Sequence, residues 1–533
     1  MRMAHTARTL TALATVLITV AACGSAAAPS TSGPAGNAQF HAAGGTPLTL
    51  SPRQLLAATG DIEPVAFGKP NHGKISYGAN GVVIYTPDSG FVGTDEFSVT
   101  TSRAVKLYAE DQLPLATMAG VSIKAAAHGS AIAAVPGNAD EIYGLTDRGP
   151  NVDGRTPGEK VLPLPDFHPQ IAKLKLSDGV ATVQRTVMLY ATDGVPLVGL
   201  VDPHAATGES LVDLDATPLP PSDYGIDPEG LVVTRDGTFW VSDEYGPYII
   251  HFDANGKELE RLSPFDGTLP PELSLRTPNQ GLEGLTMTPD GNTLVAIMQS
   301  AIQTPGLQGP PQSVPVTRIV TVNLVDRNVV HEYLYPLANP QQTHVGVSEI
   351  TALSPTTFLV DESDSKFAPN ADKKIYLVDL ARATDVGPRS TLPGAVYKAD
   401  AGGLLINQAP IETFVGTSTD GEAVKKLKEA GIAVVAKTLK LDLGGLVRSL
   451  SPSGDFFGHN KIEGMITPDE GDTLIIANDS DFGLAGLASD APPFRLKPKT
   501  LPNGTQDSGE FLIVDTTKLP AKTEQVTISI RVG

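Results

Sequence analysis

Asp227-Pro228-Glu229-Gly230-Leu231, continued by Trp240-Val241-Ser242-Asp243-Glu244-Tyr245-Gly246, decides the fold, because the chain repeats it downstream. Glu283-Gly284-Leu285-Thr286-Met287-Thr288-Pro289-Asp290-Gly291 is a second copy, Glu349-Ile350-Thr351 opens a third, and Glu463-Gly464-Met465-Ile466-Thr467-Pro468-Asp469 opens a fourth. In each, a Glu heads a short apolar run, a turn follows, and a second apolar run ends in a polar cluster, such as Ser242-Asp243-Glu244 or Asn478-Asp479-Ser480-Asp481. Two β-rich runs joined by a tight turn make a hairpin. A third strand-like run follows each cluster, for example Tyr248-Ile249-Ile250-His251-Phe252. Units of three or four short antiparallel strands bury their faces only against neighbouring units, which predicts an all-β propeller. Five to seven blades are expected, with six preferred. The copies begin 54, 66 and 114 residues apart, so loops and one large insertion must lie between blades.

The innermost strand of a blade lines the central channel, so Glu229, Glu283, Glu349 and Glu463 are expected to converge on the axis. Converging carboxylates repel one another unless a cation lies among them. Oxygen donors of this kind suit calcium, with Asn279 or Asn460 as neutral supplements. Each Glu could instead bond backbone amides of the adjoining blade, a common use of polar side chains in repeat architectures.

Composition narrows the function. With 53 Gly, 44 Pro and 5% aromatics the chain is built of turns and short strands. A net charge of −20 disfavours nucleic acid and anionic membrane as partners. There is no Gly-x-Ser-x-Gly elbow, His-Glu-x-x-His pair, Walker loop or dinucleotide glycine pattern. A monomer acting on a small molecule is expected.

Arg2 and Arg8 precede an apolar run from Leu10 to Ala22, the pattern of an export signal. It ends Val20-Ala21-Ala22-Cys23-Gly24, which resembles a bacterial lipobox, and Cys23 is the only cysteine. Residues 1–22 are therefore expected to be a lipoprotein signal peptide. Cys23 would carry the lipid anchor on the outer face of the cytoplasmic membrane, with 23–45 as a flexible tether. Residues 46–102 form a separate β module. Tyr85-Thr86-Pro87-Asp88-Ser89-Gly90-Phe91-Val92-Gly93-Thr94-Asp95-Glu96-Phe97 resembles the closing hairpins of bacterial immunoglobulin-like and cadherin-like sandwiches, which implies a spacer. Residues 103–533 are assigned to the propeller. Within them 103–116 is a candidate closing strand, Gln525-Val526-Thr527-Ile528-Ser529-Ile530 could finish the ring, and a helix near 418–431 could shape the channel mouth.

Asp147-Arg148-Gly149-Pro150-Asn151, Asp227-Pro228-Glu229-Gly230-Leu231, Ser242-Asp243-Glu244-Tyr245-Gly246, Asn279-Gln280-Gly281-Leu282-Glu283-Gly284 and Lys461-Ile462-Glu463-Gly464 together resemble the "esterase-like activity of phytase" family. Membership implies a propeller and hydrolysis of a phosphate or carboxylic ester. The residues themselves place Asp147, Asp243 and Asp479 at the far ends of second strands, as bases or further ligands, and His459 where a general acid would be useful. Arg148, Lys461 and Tyr245 are the candidates for holding substrate. Two rivals stand beside a calcium-dependent hydrolase: a non-catalytic propeller that binds a ligand or cell-wall partner around a structural metal, and a lactonase-type propeller.

Overall fold

The computed structural model describes residues 37–205, 208–327 and 330–533; Cys23, the expected export segment and most of the expected tether lie outside them. Among the described residues five four-stranded blades surround one axis. Blade 1 comprises Ala131–Val135, Asn138–Leu145, Gln170–Ser177 and Val180–Met188, and blade 2 Pro228–Val233, Phe239–Asp243, Ile249–Phe252 and Glu258–Leu262. Blade 3 comprises Leu282–Met287, Thr293–Met298, Val316–Asn323 and Val330–Pro336, and blade 4 Gly346–Ala352, Thr357–Ser363, Lys373–Asp379 and Ala436–Asp442. Blade 5 is assembled from Ile462–Ile466, Thr473–Asn478, Glu510–Asp515 and Val105–Glu110. The innermost strands adjoin in the cyclic order 1-2-3-4-5-1. Five blades, not the preferred six, therefore close the ring.

The missing sixth blade has a physical reason. The long interval between Glu349 and Glu463 holds the outer strands of blade 4 and an insertion, and the last apolar run of the chain is used elsewhere. Closure depends on Val105–Glu110, which precedes blade 1 in sequence. It pairs antiparallel with Glu510–Asp515, with Leu107 opposite Leu512, as the 103–116 segment predicts. A two-residue parallel pairing joins its other edge to Val180–Met188. Blade 1's outer hairpin turns at Asp178 and Gly179, both at positive φ (53° and 77°), as a tight two-residue hairpin turn demands.

The ring is held by apolar side chains trapped between blades. Leu145, Ile171 and Val187 of blade 1 meet Leu231, Phe239, Val241, Ile250 and Phe252 of blade 2, all buried. Each such side chain contributes about 1.5–3 kcal/mol on burial.

The C-terminal strand Thr523–Val532 does not finish the ring. It enters the N-terminal sandwich between Asn37–Ala42, with which it runs parallel, and Gly93–Ser102, with which it runs antiparallel. Phe97, Val99, Ile528 and Ile530 pack there against Leu50 and Tyr85 of the facing sheet. The sandwich thus takes strands from both ends of the described chain. The division into 46–102 and 103–533 is corrected, and so is the tether, since residues 37–42 are a strand. Asp95 of the sandwich accepts the N–H groups of Asn71, His72 and Glu96 and the hydroxyl of Tyr85. Its carboxylate ties this fold together internally.

The expected helix forms at Asp420–Glu429, capped by Thr419 with Glu422 reaching back. It belongs to an insertion between the third and fourth strands of blade 4, and its Ala423 and Leu427 pack against Val316 and Leu334 of blade 3. Buried Arg318 of blade 3 pins the insertion through Glu412 at 2.8 Å. The helix lies outside the residues lining the channel mouth, so it does not shape that mouth as expected.

Candidate metal and substrate site

Each innermost strand starts at one end of the channel and the second strand returns to it, so strand 1 and strand 2 of a blade both deliver side chains to that mouth. Register decides which ones. Ladder pairing is interrupted by a bulge between Pro228 and Gly230 in blade 2 and between Leu282 and Gly284 in blade 3, leaving Glu229 and Glu283 unpaired. Blade 5 has its bulge between Ile462 and Met465, around Glu463. Blade 4 has its bulge between Val347 and Glu349, so the residue equivalent to Glu229 is Ser348.

Glu349 takes the position that Gly230, Gly284 and Gly464 occupy in their own blades. Those glycines face the neighbouring blade's backbone. A Cβ at Gly230 would stand 2.7 Å from the Leu285 nitrogen, at Gly284 2.6 Å from the Ile350 nitrogen, and at Gly464 3.1 Å from the Ile132 nitrogen. The last contact places Ser130 of blade 1 in the glutamate position, as the sequence predicts. Glu349 accordingly accepts the N–H groups of Leu285 (3.2 Å) and Ile350 (2.8 Å), joining blades 3 and 4. It leaves the expected set of four ligands, because a slip of one residue turns a side chain to the other face.

The channel ring is therefore Ser130, Glu229, Glu283, Ser348 and Glu463. The same pairing places a second ring one residue beyond each second strand's pairing partner: Asp147, Glu244, Gln299, Ser363 and Asp479. Asp243, one residue earlier than Glu244, is spent on the N–H groups of Asp227 (2.7 Å) and Gly246 (2.6 Å), so it is a structural tie and not a base. Sequence reasoning missed Glu244, Gln299 and Ser363. The detectable signal is their constant place, 15 or 16 residues after Glu229, Glu283 and Ser348.

Carboxylate oxygens of Asp147, Asp227 and Glu229, all buried, lie within 4.8 Å of one another. Glu229 Oε2, Glu244 Oε1, Glu283 Oε2 and Glu463 Oε2 are buried without a hydrogen-bond partner, as are the Oδ1 atoms of Asn279 and Asn460. Burial, then the neighbouring Asp227, Glu463, Glu283 and Glu244 charges, push the Glu229 carboxyl well above its ordinary range. Burial raises Glu463 to about 8 even though Lys461 opposes the shift. Asp147 is raised well above its usual range by burial and then by Asp479 and Asp227. These buried acceptors, whose carboxyl pKa values are raised, fit a cation, which would replace the missing donors. The group of three offers oxygen only.

Two basic residues divide the work. Arg148 is enclosed, with Nη1 3.1 Å from Glu209, Nε 3.5 Å from Asp227 and a hydrogen bond to the hydroxyl of buried Tyr245. Arg148 and Tyr245 thus hold Asp227 in place and do not line the cavity where substrate was expected to meet them. Lys461, a third exposed, contacts Glu463 (3.1 Å), Asp479 (2.5 Å) and Asp481 (3.2 Å) and does line the cavity. His459 is buried between Asp507 (2.8 Å) and Glu510 (2.9 Å). Burial draws its pKa down, but those two carboxylates outweigh burial and raise it to about 9, which makes a fixed structural cation of a residue expected to be a general acid.

Loops cover the mouth above blades 5, 1 and 2. Hairpins and a small sheet from 116–123, 152–161, 210–219 and 484–498 share a core of Ile123, Val161, Val212, Phe482 and Phe494. The other side is open as a cavity of about 350 Å³, reaching Glu283, Gln299, Ser348, Ser363, Lys461 and Glu463. No helix among the described residues is long and apolar enough to cross a membrane.

Residues 127–482, more than half of the chain, match the family described as "Esterase-like activity of phytase", and residues 30–113 match a bacterial Ig domain. An uncharacterized secreted protein of Arthroderma benhamiae is 28% identical over 258 residues, covering 40% of this chain and 47% of the relative, so the chain spans under half of that relative's length. A solved protein from Lactobacillus plantarum aligns over 84% of this chain and 99% of its own at 12% identity and a TM-score of 0.28. A luciferin-regenerating enzyme aligns over 84% and 92% at 9% identity and a TM-score of 0.26. Such loose overlaps add nothing to the fold read from the strands. The five-bladed ring, its acidic mouth and the match over 127–482 make this chain a member of the phytase-like family, behind an immunoglobulin-like module.

Proposed function

We propose that the chain is an exported hydrolase that cleaves a phosphate or carboxylic ester at the channel mouth, with a calcium ion held by Asp147, Asp227 and Glu229. The observation that supports this best is the meeting of those three buried carboxylates beside partnerless Glu oxygens and an open cavity. An all-oxygen set without His or Cys suits a hard cation such as calcium. When bound, such an ion supplies Lewis acidity toward a phosphoryl or carbonyl oxygen.

The chain's own residues do the remainder. Arg148, fixed by Glu209 and Tyr245, keeps Asp227 in the group. Lys461 reaches the cavity and offers an ammonium to an anionic oxygen of the substrate. Glu283 and Glu463 line the same cavity and are the groups placed to exchange a proton with the departing alcohol or the incoming water. The overhanging loops exclude water above blades 5, 1 and 2.

The test is turnover of nitrophenyl phosphate, nitrophenyl acetate, phytate and a lactone by purified protein, with calcium and with chelator, for the wild type and Asp227→Asn. Calcium-dependent turnover lost in the variant supports the reading; no turnover on any substrate refutes it. The burial of the three ligands favours one rival, a ligand-binding propeller with a structural ion. That rival predicts chelation lowering the melting temperature with no activity to lose. Export and lipid attachment at Cys23 are part of the proposal, supported by the signal-like first residues and by the relative's description as secreted. Cys23→Ser should shift the protein from the membrane fraction to the medium of a bacterial host.

A further inference from the structure

The channel mouth is asymmetric. Blades 1, 2, 3 and 5 each present at least one carboxylate to the two rings through Asp147, Glu229 with Glu244, Glu283, and Glu463 with Asp479, whereas blade 4 contributes Ser348 and Ser363 to them, its nearest lining carboxylate being Asp364, which is paired with Lys366 and Lys373. The cavity opens on that less acidic side, and its wall there, from blades 3 and 4, is built mainly of amides and hydroxyls beside Asp364. Gln280 has its amide oriented by the Ser300 hydroxyl, which bonds Oε1 at 2.7 Å and leaves the NH₂ group available. The side chains of Gln312, Ser348 and Ser365 make no hydrogen bond within the described protein, although all three line the cavity. Its charged lining comprises Glu283, Glu463, Asp364 and Lys461, and the lysine is already shared among three carboxylates.

We infer that the cavity binds a neutral polyhydroxylated group, a sugar or an open-chain polyol, as the alcohol portion of the substrate, with one ester linkage directed at the carboxylate ring. This rests on the hydrolase reading for the ester but on the wall from blades 3 and 4 for the alcohol. Hydroxyl groups both donate and accept, and so do serine hydroxyls and glutamine amides, so each matches the other at short range. A polyanion finds no such match. Three lining carboxyl groups face one ammonium that is already paired, and a single divalent ion cannot neutralise several phosphates as well as the protein's own carboxylates. At about 350 Å³ the space is at the small end of ligand pockets, sufficient for a group of sugar-ring size.

The test is saturation-transfer NMR and competition titration on the full chain in calcium buffer, with glucose, galactose, mannose, glycerol and myo-inositol against inorganic phosphate and inositol hexakisphosphate. The expected result is saturable binding of at least one neutral polyol, weakened roughly three- to tenfold by Gln312→Leu and, as a second variant, by Ser365→Ala, each removing one hydrogen-bonding group. Both positions are on the cavity rim, and unchanged melting temperatures would show that folding is intact. Binding that is confined to phosphate-bearing ligands and tightens with phosphate number would overturn the inference while leaving ester hydrolysis standing. No binding of any neutral polyol would overturn it as well. Polyol binding by a protein that hydrolyses none of the esters above would support the cavity assignment and remove the hydrolase reading.

Discussion

Replacing Glu349 by Ala should destabilise the ring without weakening calcium binding. The carboxylate accepts two backbone N–H groups, from Leu285 of blade 3 and Ile350 of blade 4, and it is buried. Truncation leaves both donors without a partner, at about 1–3 kcal/mol each, so a loss of roughly 2–6 kcal/mol is expected. For a cooperative unit of this size about 1 kcal/mol corresponds to about 1 °C, which puts the fall in melting temperature at roughly 2–6 °C. Glu349→Gln keeps an acceptor, and it imitates the protonated acid that burial favours despite the two amide bonds, so it should cost less than about 1 kcal/mol. Differential scanning calorimetry with and without calcium measures both effects. A melting temperature unchanged by Glu349→Ala, together with about tenfold weaker calcium binding, would refute the register argument and return Glu349 to the ion.

Further outcomes follow from other buried groups. Glu63, under the sandwich, accepts the Leu107 N–H at 3.1 Å, and burial raises its carboxyl to about 8. With a folded value above the unfolded one, its contribution is complete below about pH 4.5 and is lost as pH rises through 8, so Glu63→Gln should gain on the order of 3–5 kcal/mol relative to wild type between those limits, read by urea denaturation. His459, raised to about 9, likewise contributes fully below about 6.5 and loses roughly 3 kcal/mol as pH climbs past 9; His459→Gln should abolish that slope. Lys461→Met leaves Glu463 and Asp479 without their cation and should cost roughly 3–5 kcal/mol in chelator, with part of the loss restored by added calcium.

The blades were legible in the sequence because strand alternation and turn residues are local: the Ser177-Asp178-Gly179 turn and the Thr419 cap are written within a few residues of where they act. The count of five was not legible, since closure depends on pairing residues some 400 positions apart, and Thr523–Val532 is as good a strand for a propeller edge as for a sandwich. At the mouth, Glu229, Glu283 and Glu463 were found because a Glu-Gly pair marks the bulge. Glu349 misled because the bulge in blade 4 begins one residue earlier, and no local signal distinguishes Ser348-Glu349 from Glu-Gly. Asp227, which completes the group of three, stands in the repeated motif with no local mark of a ligand. Its position depends on Arg148 and Glu209, contributed by loops that meet only in the folded chain.

Whether carboxylates from separate blades share one divalent ion is decided by calorimetric titration of calcium into chelator-treated protein. One saturable site is expected in the wild type, with a stabilisation of about 2.7 kcal/mol at a hundredfold excess over Kd, and both are expected to be lost in Asp227→Asn and Glu229→Gln but not in Glu349→Gln. Absence of any saturable heat in the wild type, or binding that survives both ligand substitutions, would contradict a shared ion.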